Sequence, residues 1–229
     1  MMHVPDGFLN LPTSITTGVL AAGGIAVALK LAAREAVEDR KAPMVGIVAT
    51  VIFAAQMVTF PVGAGTSGHL MGAVLAAVLV GPGTAVLCLS VVLIVQSFLF
   101  ADGGVTALGT NILLMGIVTT IVGWTMFRAA MFVLPGKRWS IVVSSGLGAM
   151  ASVPAAAAVF VLLFAVGGDV AVPMDALLVA MVGWHTLIGI GEAVITGLVV
   201  SAVLATRPDL VYGARFASAK NLTARPVLS

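Results

Sequence analysis

The feature that most limits this chain is a succession of apolar stretches too long and too numerous for a soluble interior. They run from about Ile15 to Leu31, Met44 to Val62, Leu70 to Val80, Thr84 to Phe100, Ala107 to Phe127, Ser140 to Val166 and Ala176 to Ala205. A membrane-crossing helix needs roughly 20 apolar residues, and alternating barrel strands do not give such runs. Charge agrees. Only 9% of the 229 residues are Asp, Glu, Lys or Arg, against about 25% in a soluble domain. That argues against a soluble enzyme or a nucleic-acid-binding surface, and the apolar content excludes disorder. The lone Cys88 rules out an internal disulfide framework and a cysteine-rich metal site. The reading is an all-α membrane protein forming one helical bundle.

The third stretch decides the topology. Leu70 to Val80 rises only about 16 Å, half a bilayer core. Gly81-Pro82-Gly83 is then either a tight turn between two short helices or a kink in one long one. With a turn, and with the N-terminus outside, all 11 basic residues lie on the cytoplasmic side, as the positive-inside rule expects. They are Lys30, Arg34, Arg40 and Lys41, then Arg128, Lys137 and Arg138, then Arg207, Arg215, Lys220 and Arg225. With a kink, the last two groups would fall outside. The expectation is seven transmembrane helices, N-terminus extracytoplasmic and C-terminus cytoplasmic. Residues 1–14 form an outer N-terminal segment, 15–205 the membrane domain and 206–229 a cytoplasmic tail, expected to lose order after Tyr212. The first ten residues carry no Lys or Arg, so no cleavable signal is expected. They read as an ordered segment with a turn at Pro5-Asp6-Gly7.

The outer face then carries Asp6, Asp102, Asp169 and Asp175 without Lys or Arg. Such a face attracts cations, although topology alone also produces the asymmetry. Small residues recur at Gly18, Ala22 and Ala26, and at Gly46, Thr50 and Ala54. Such surfaces permit close helix packing, by default inside the bundle, with docking to a membrane partner as the sharper reading.

Gly63-Ala64-Gly65-Thr66-Ser67-Gly68 satisfies G-x-G-x-x-G and nearly a P-loop. But His69 replaces the lysine, Leu70 replaces the following Ser/Thr, and no acidic residue stands about 20 positions on. Nucleotide binding is not supported. Topology places His69 and His3 on the same outer face. An amino terminus followed closely by His can wrap a metal in nitrogen. Starting at Met2, the amine, the His3 amide and the His3 imidazole give three ligands, and His69 a fourth. Starting at Met1, a second amide takes that corner. Square-planar nitrogen suits Ni(II) and Cu(II), and imidazole suits several later first-row metals. Unrelated loop histidines are the competing reading. His185 and Glu192 share a helical face inside the last stretch, as a proton relay or as a hydrogen-bonded pair holding the bundle. Gln56, Thr66, Ser67 and Asp102 are candidates to orient the loop or His69.

MHVPDGFL from Met2 resembles the start of the CbiM/NikM family. FAAQMVTFPVGAGTSGHLMGAVLAAVLVGPGTAVL from Phe53, FADGGVTALGTN from Phe100 and GWHTLIGIGEAVITGLVVSAVL from Gly183 are similar to its other blocks. Those proteins are the substrate-binding S components of energy-coupling factor (ECF) ABC transporters for cobalt and nickel. The resemblance implies an S-component fold with an additional N-terminal helix. It implies a metal site of Met2, His3 and His69 for Co(II) or Ni(II) as transported substrate. No catalytic cofactor and no ATPase site of the chain's own are implied. The implied partners are a transmembrane coupling (T) protein, two cytosolic ATPase subunits and a small accessory membrane protein, with no nucleic acid. The implied location is a bacterial or archaeal plasma membrane, and the implied destination is cobalamin synthesis or a nickel enzyme. The family begins Met-His where this chain begins Met-Met-His, so Met2 is the expected working start. The alternative is a stand-alone proton-coupled metal transporter using His185 and Glu192.

Overall fold

A computed structural model describes residues 3–35, 42–63 and 66–217. The chain is almost wholly helical. The helices are α1 (Leu11–Glu35), α2 (Ala42–Gln56), α3 (Ala73–Val80), α4 (Pro82–Leu99), α5 (Leu108–Val133), α6 (Arg138–Gly167) and α7 (Met174–Thr206). Two short antiparallel strands, β1 (Phe60–Gly63) and β2 (Thr66–Gly68), join α2 to the segment before α3. Five helices, α1, α4, α5, α6 and α7, are long and apolar enough to cross a membrane; α2 and α3 are shorter. Their outward faces carry large apolar side chains such as Val19, Phe98, Ile121, Leu162 and Leu198, the inversion expected of a bundle solvated by lipid.

α3 differs from the rest because all eight of its residues are buried. It fills the middle of the bundle, and its uniformly apolar sequence follows from having protein on every side. The chain breaks after it at Gly81, where φ is +103°, a conformation that only glycine adopts without strain. Pro82 then opens α4, where its missing N–H costs no hydrogen bond. Glu35, at the end of α1, completes the break. Its carboxylate accepts from the Gly83 and Thr84 amides at 2.9 and 2.8 Å and from the Thr84 hydroxyl at 3.0 Å. A buried carboxylate thus caps the N-terminus of α4 and satisfies its orphan donors.

Of the small-residue positions, Gly18 does pack closely, its backbone lying where a Cβ on Gly109 of α5 would come within 2.4 Å, but the rest of the spacing points to a different seam from the one observed. Ala22, Ala26, Gly46, Thr50 and Ala54 are exposed. The inward face of α1 is instead Thr13, Thr17, Ala21 and Ala28, with the Thr17 hydroxyl bonded to that of Thr110 on α5 at 2.7 Å. Threonine sealed this seam because its hydroxyl finds a partner across it.

Order persists past Tyr212 as far as Ala217, and the remainder of the 206–229 tail lies outside the described residues. Residues Pro208–Leu210 and Tyr212–Phe216 form two tight helical turns against the bundle end. Trp124 packs on Phe127, Tyr212 and Phe216, and the Arg128 guanidinium lies 3.6 Å over the Phe216 ring. Aromatic stacking and cation–π attraction hold this segment.

Two stretches of wide helical turn, Ile112–Val118 in α5 and Val179–Gly183 in α7, interrupt the regular spacing. Such π-type turns shift the register of the residues that follow, and they recur at functional sites.

Candidate metal centre

The N-terminal segment is built into the bundle end. Asn10 caps α1, its side-chain oxygen accepting the Thr13 amide at 3.0 Å. Upstream, the Asn10 amide donates to Gly167 at 2.7 Å and the Asp169 amide to Phe8 at 3.0 Å. Phe8 packs on Phe160 and Phe164. Pro5-Asp6-Gly7 turns as its sequence suggests, and Asp6 accepts the amide and hydroxyl of Thr106. Those bonds hold the Asp6 carboxyl below its usual range. Val4 is fully buried and clamped at both backbone groups. Its amide donates to the Asn111 side-chain oxygen at 2.7 Å, and its carbonyl accepts from the Asn111 side-chain nitrogen at 3.1 Å and the Gly104 amide at 2.8 Å.

This clamp delivers His3 into the bundle at 3% exposure, against His69 at 1%. The two rings meet edge to face with centroids 4.5 Å apart, although 66 positions separate them in the chain. His3 Nδ1 lies 3.1 Å from the Asp102 carbonyl oxygen and 3.2 Å from its carboxylate. The Asp102 carboxyl is held below its usual range, chiefly by that hydrogen bond. His69 Nδ1 lies 2.8 Å from the Leu70 carbonyl. A carbonyl only accepts, so Nδ1 carries the proton and Nε2 the lone pair. Burial, reinforced by His3, pushes the His69 pKa down to about 3, so the ring is neutral. The Nε2 atoms of both rings are buried without a hydrogen-bond partner. A neutral imidazole fixed at one nitrogen and bare at the other is the form in which histidine takes a metal.

Among the described residues no group of three or more His, Cys, Asp or Glu side chains is arranged to hold a metal. Two imidazoles do not close a coordination sphere, and Met2, the other residue expected at the site, lies outside the described residues.

The segment after His69 is held from two helices. Gln56 at the end of α2 donates to the Met71 carbonyl at 2.9 Å. Glu192 on α7 accepts the Met71 and Gly72 amides at 2.9 and 2.8 Å. Of the candidates for orienting the loop, Gln56 and Asp102 therefore sit at the site. The side chains of Thr66 and Ser67 lie outside the described residues. His185 and Glu192 bond the main chain rather than each other, His185 through Nδ1 to the Met181 carbonyl on its own helix. Sequence reasoning missed Asn111 and the capping role of Glu192. The only sign of Asn111 was its place at the end of FADGGVTALGTN.

The comparisons with known proteins agree over nearly the whole chain. Residues 3–210 match the family model CbiM, described as the cobalt uptake substrate-specific transmembrane region. The cobalt transport protein CbiM of Sorangium cellulosum is 32% identical, covering 92% of this chain and 94% of that protein. A fused nickel transport protein NikMN of Rhodobacter capsulatus is 31% identical over 92% of this chain and 64% of its own length. A crystal structure of a truncated transition metal transporter superposes with a TM-score of 0.80 at 29% identity, covering 88% of this chain and 98% of that one. The chain belongs to the CbiM family of multi-pass membrane proteins.

Proposed function

We propose that this chain captures Co(II) or Ni(II) from the outer face of the plasma membrane, as the S component of an ATP-driven energy-coupling factor importer. The observation that carries the reading is the buried His3–His69 pair in ring contact, with the Nε2 of His69 bare and able to take an ion. Family membership supports the metals, because the relatives are named for cobalt and nickel transport.

The ligands in this reading are the Met2 amine, the His3 amide and imidazole, and the His69 imidazole. A residue's own amide and imidazole close a six-membered chelate only through Nδ1. His3 Nδ1 now faces Asp102, so metal capture exchanges that partner for the ion and leaves the ring proton on Nε2. The amine and amide must lose protons, and binding therefore weakens in acid.

In this reading the chain passes the membrane seven times, α3 making its pass together with the segment that precedes it, with the N-terminus outside and the 206–229 tail in the cytoplasm. A coupling protein, two ATPase subunits and a small accessory membrane protein complete the importer, which supplies cobalamin synthesis or a nickel enzyme. The stand-alone proton-coupled reading is weaker, because Glu192 is occupied as a main-chain cap.

The test is Ni(II) and Co(II) titration of the purified chain with its native N-terminus and with a short N-terminal extension. The extension should abolish tight binding with His3 intact; normal binding would exclude the amine. Uptake by cells expressing this chain alone, equal to uptake by the assembled complex, would exclude the S-component assignment. Intact mass of the native protein checks the start at Met2.

A further inference from the structure

From the path of the chain around His69, we infer that Glu192 is a positioning residue for metal binding, acting through His69 from the middle of α7. This rests on the reading of His69 as a ligand.

Glu192 is 2% exposed in a helix whose lipid-facing neighbours are Ile190, Val194 and Ile195. A carboxylate there needs a compelling partner, because its alternatives are hydrocarbon or neutralisation. The partners it has are two consecutive main-chain amides, Met71 and Gly72, at 2.9 and 2.8 Å. They lie at the start of α3, whose first amides have no acceptor within the helix and whose dipole favours a negative charge. The bonds reach two and three residues beyond His69. Between them runs Leu70, whose carbonyl orients the His69 ring.

The remaining freedom of this segment is closed by Gln56 on the Met71 carbonyl and by Gly72. The φ of Gly72 is +74°, and a Cβ there would come within 2.8 Å of Ile52. Met71 is thus held at its amide by α7 and at its carbonyl by α2. Glu192 is the carboxyl member of this clamp, and it comes from a helix that carries neither His3 nor His69.

A cap that merely stabilised the bundle would weaken folding and metal binding alike. A positioning role makes a narrower demand. Removing the cap should matter only while His69 takes part in binding. Glu192→Gln preserves shape but turns one accepting oxygen into a donor, facing a main-chain N–H at close range. Partners that orient a metal-ligating histidine typically contribute 10–100-fold to metal affinity.

The experiment is a double-mutant cycle on the full chain in detergent, with the native N-terminus and Ni(II) as the probe. The four proteins are wild type, Glu192→Gln, His69→Ala and the double variant, each with its thermal midpoint recorded. Glu192→Gln should weaken Ni(II) binding about 10–100-fold in the wild-type background and less than about 2-fold in the His69→Ala background. Equal losses in both backgrounds, or no loss in the first, would overturn the inference while leaving His69 a ligand. No loss on His69→Ala alone would overturn the ligand reading and this inference with it. If Glu192→Gln does not fold, Glu192→Asp keeps the charge and shortens the reach, and the same cycle decides.

Discussion

Replacing Asn111 by alanine tests how the N-terminal segment is held. Asn111 is 2% exposed and meets both backbone groups of Val4. In Asn111→Ala the Val4 carbonyl keeps the Gly104 amide at 2.8 Å, but the buried Val4 amide is orphaned. One such donor costs about 1–3 kcal/mol, roughly 5- to 150-fold in the equilibrium between docked and detached segment. Tight packing at Phe8 remains, so the helices should not unfold. The two readouts then separate. Amide exchange at Asn10 and Gly104, which bond across the dock, should quicken by the full factor. Ni(II) affinity should fall by less, because the docked fraction must first drop well below one. Hydrogen exchange with mass spectrometry, paired with titration calorimetry, measures both. Unchanged exchange at both amides, with unchanged affinity, would refute the view that Asn111 pins the segment delivering His3.

Three further outcomes are expected. Glu35→Gln should lower the thermal midpoint in detergent by the equivalent of about 1–2 kcal/mol, because the Gly83 and Thr84 amides share its carboxylate; an unchanged midpoint would remove it as a cap. Gly81→Ala should cost more than a typical Gly→Ala change, since φ is +103° and the new Cβ would lie 2.6 Å from the Glu35 carboxylate; a stabilised variant would contradict the break described between α3 and α4. The Asp6 carboxyl is depressed by its bonds to Thr106, so its contribution is present above the unfolded value near 4 and is lost as pH falls through the lower folded value. Exchange at the Thr106 amide should therefore rise in acid, and in Asp6→Asn that acid step should disappear.

What the sequence reveals is governed by whether the information is local. Apolar run length marks the helices because each is solvated by lipid along its own length. The break at Gly81-Pro82-Gly83 is legible because both residue types constrain the backbone where they stand. His3 and His69 could be placed on one face from charge asymmetry. Their edge-to-face contact depends on Val4 being clamped by Asn111, 107 positions away, and no local pattern encodes that. The capping roles of Glu35 and Glu192 were hidden for the same reason: each meets main-chain amides, 48 to 49 and 120 to 121 positions distant, and amides have no residue signature. The spacing of Gly18, Ala22 and Ala26 identifies a face but not its neighbour. Ala22 and Ala26 proved exposed, and the threonine side of α1 took the interior.

In the proposed site the ion is held by nitrogen from the N-terminus, His3 and His69. X-ray absorption at the nickel edge, on the purified chain with its native N-terminus and on His69→Ala, tests it most directly. The expected result is a four-coordinate, nitrogen-only Ni(II) site in the first protein, and loss of one imidazole with an opened coordination sphere in the second. A six-coordinate, oxygen-rich site that is identical in both proteins would contradict it.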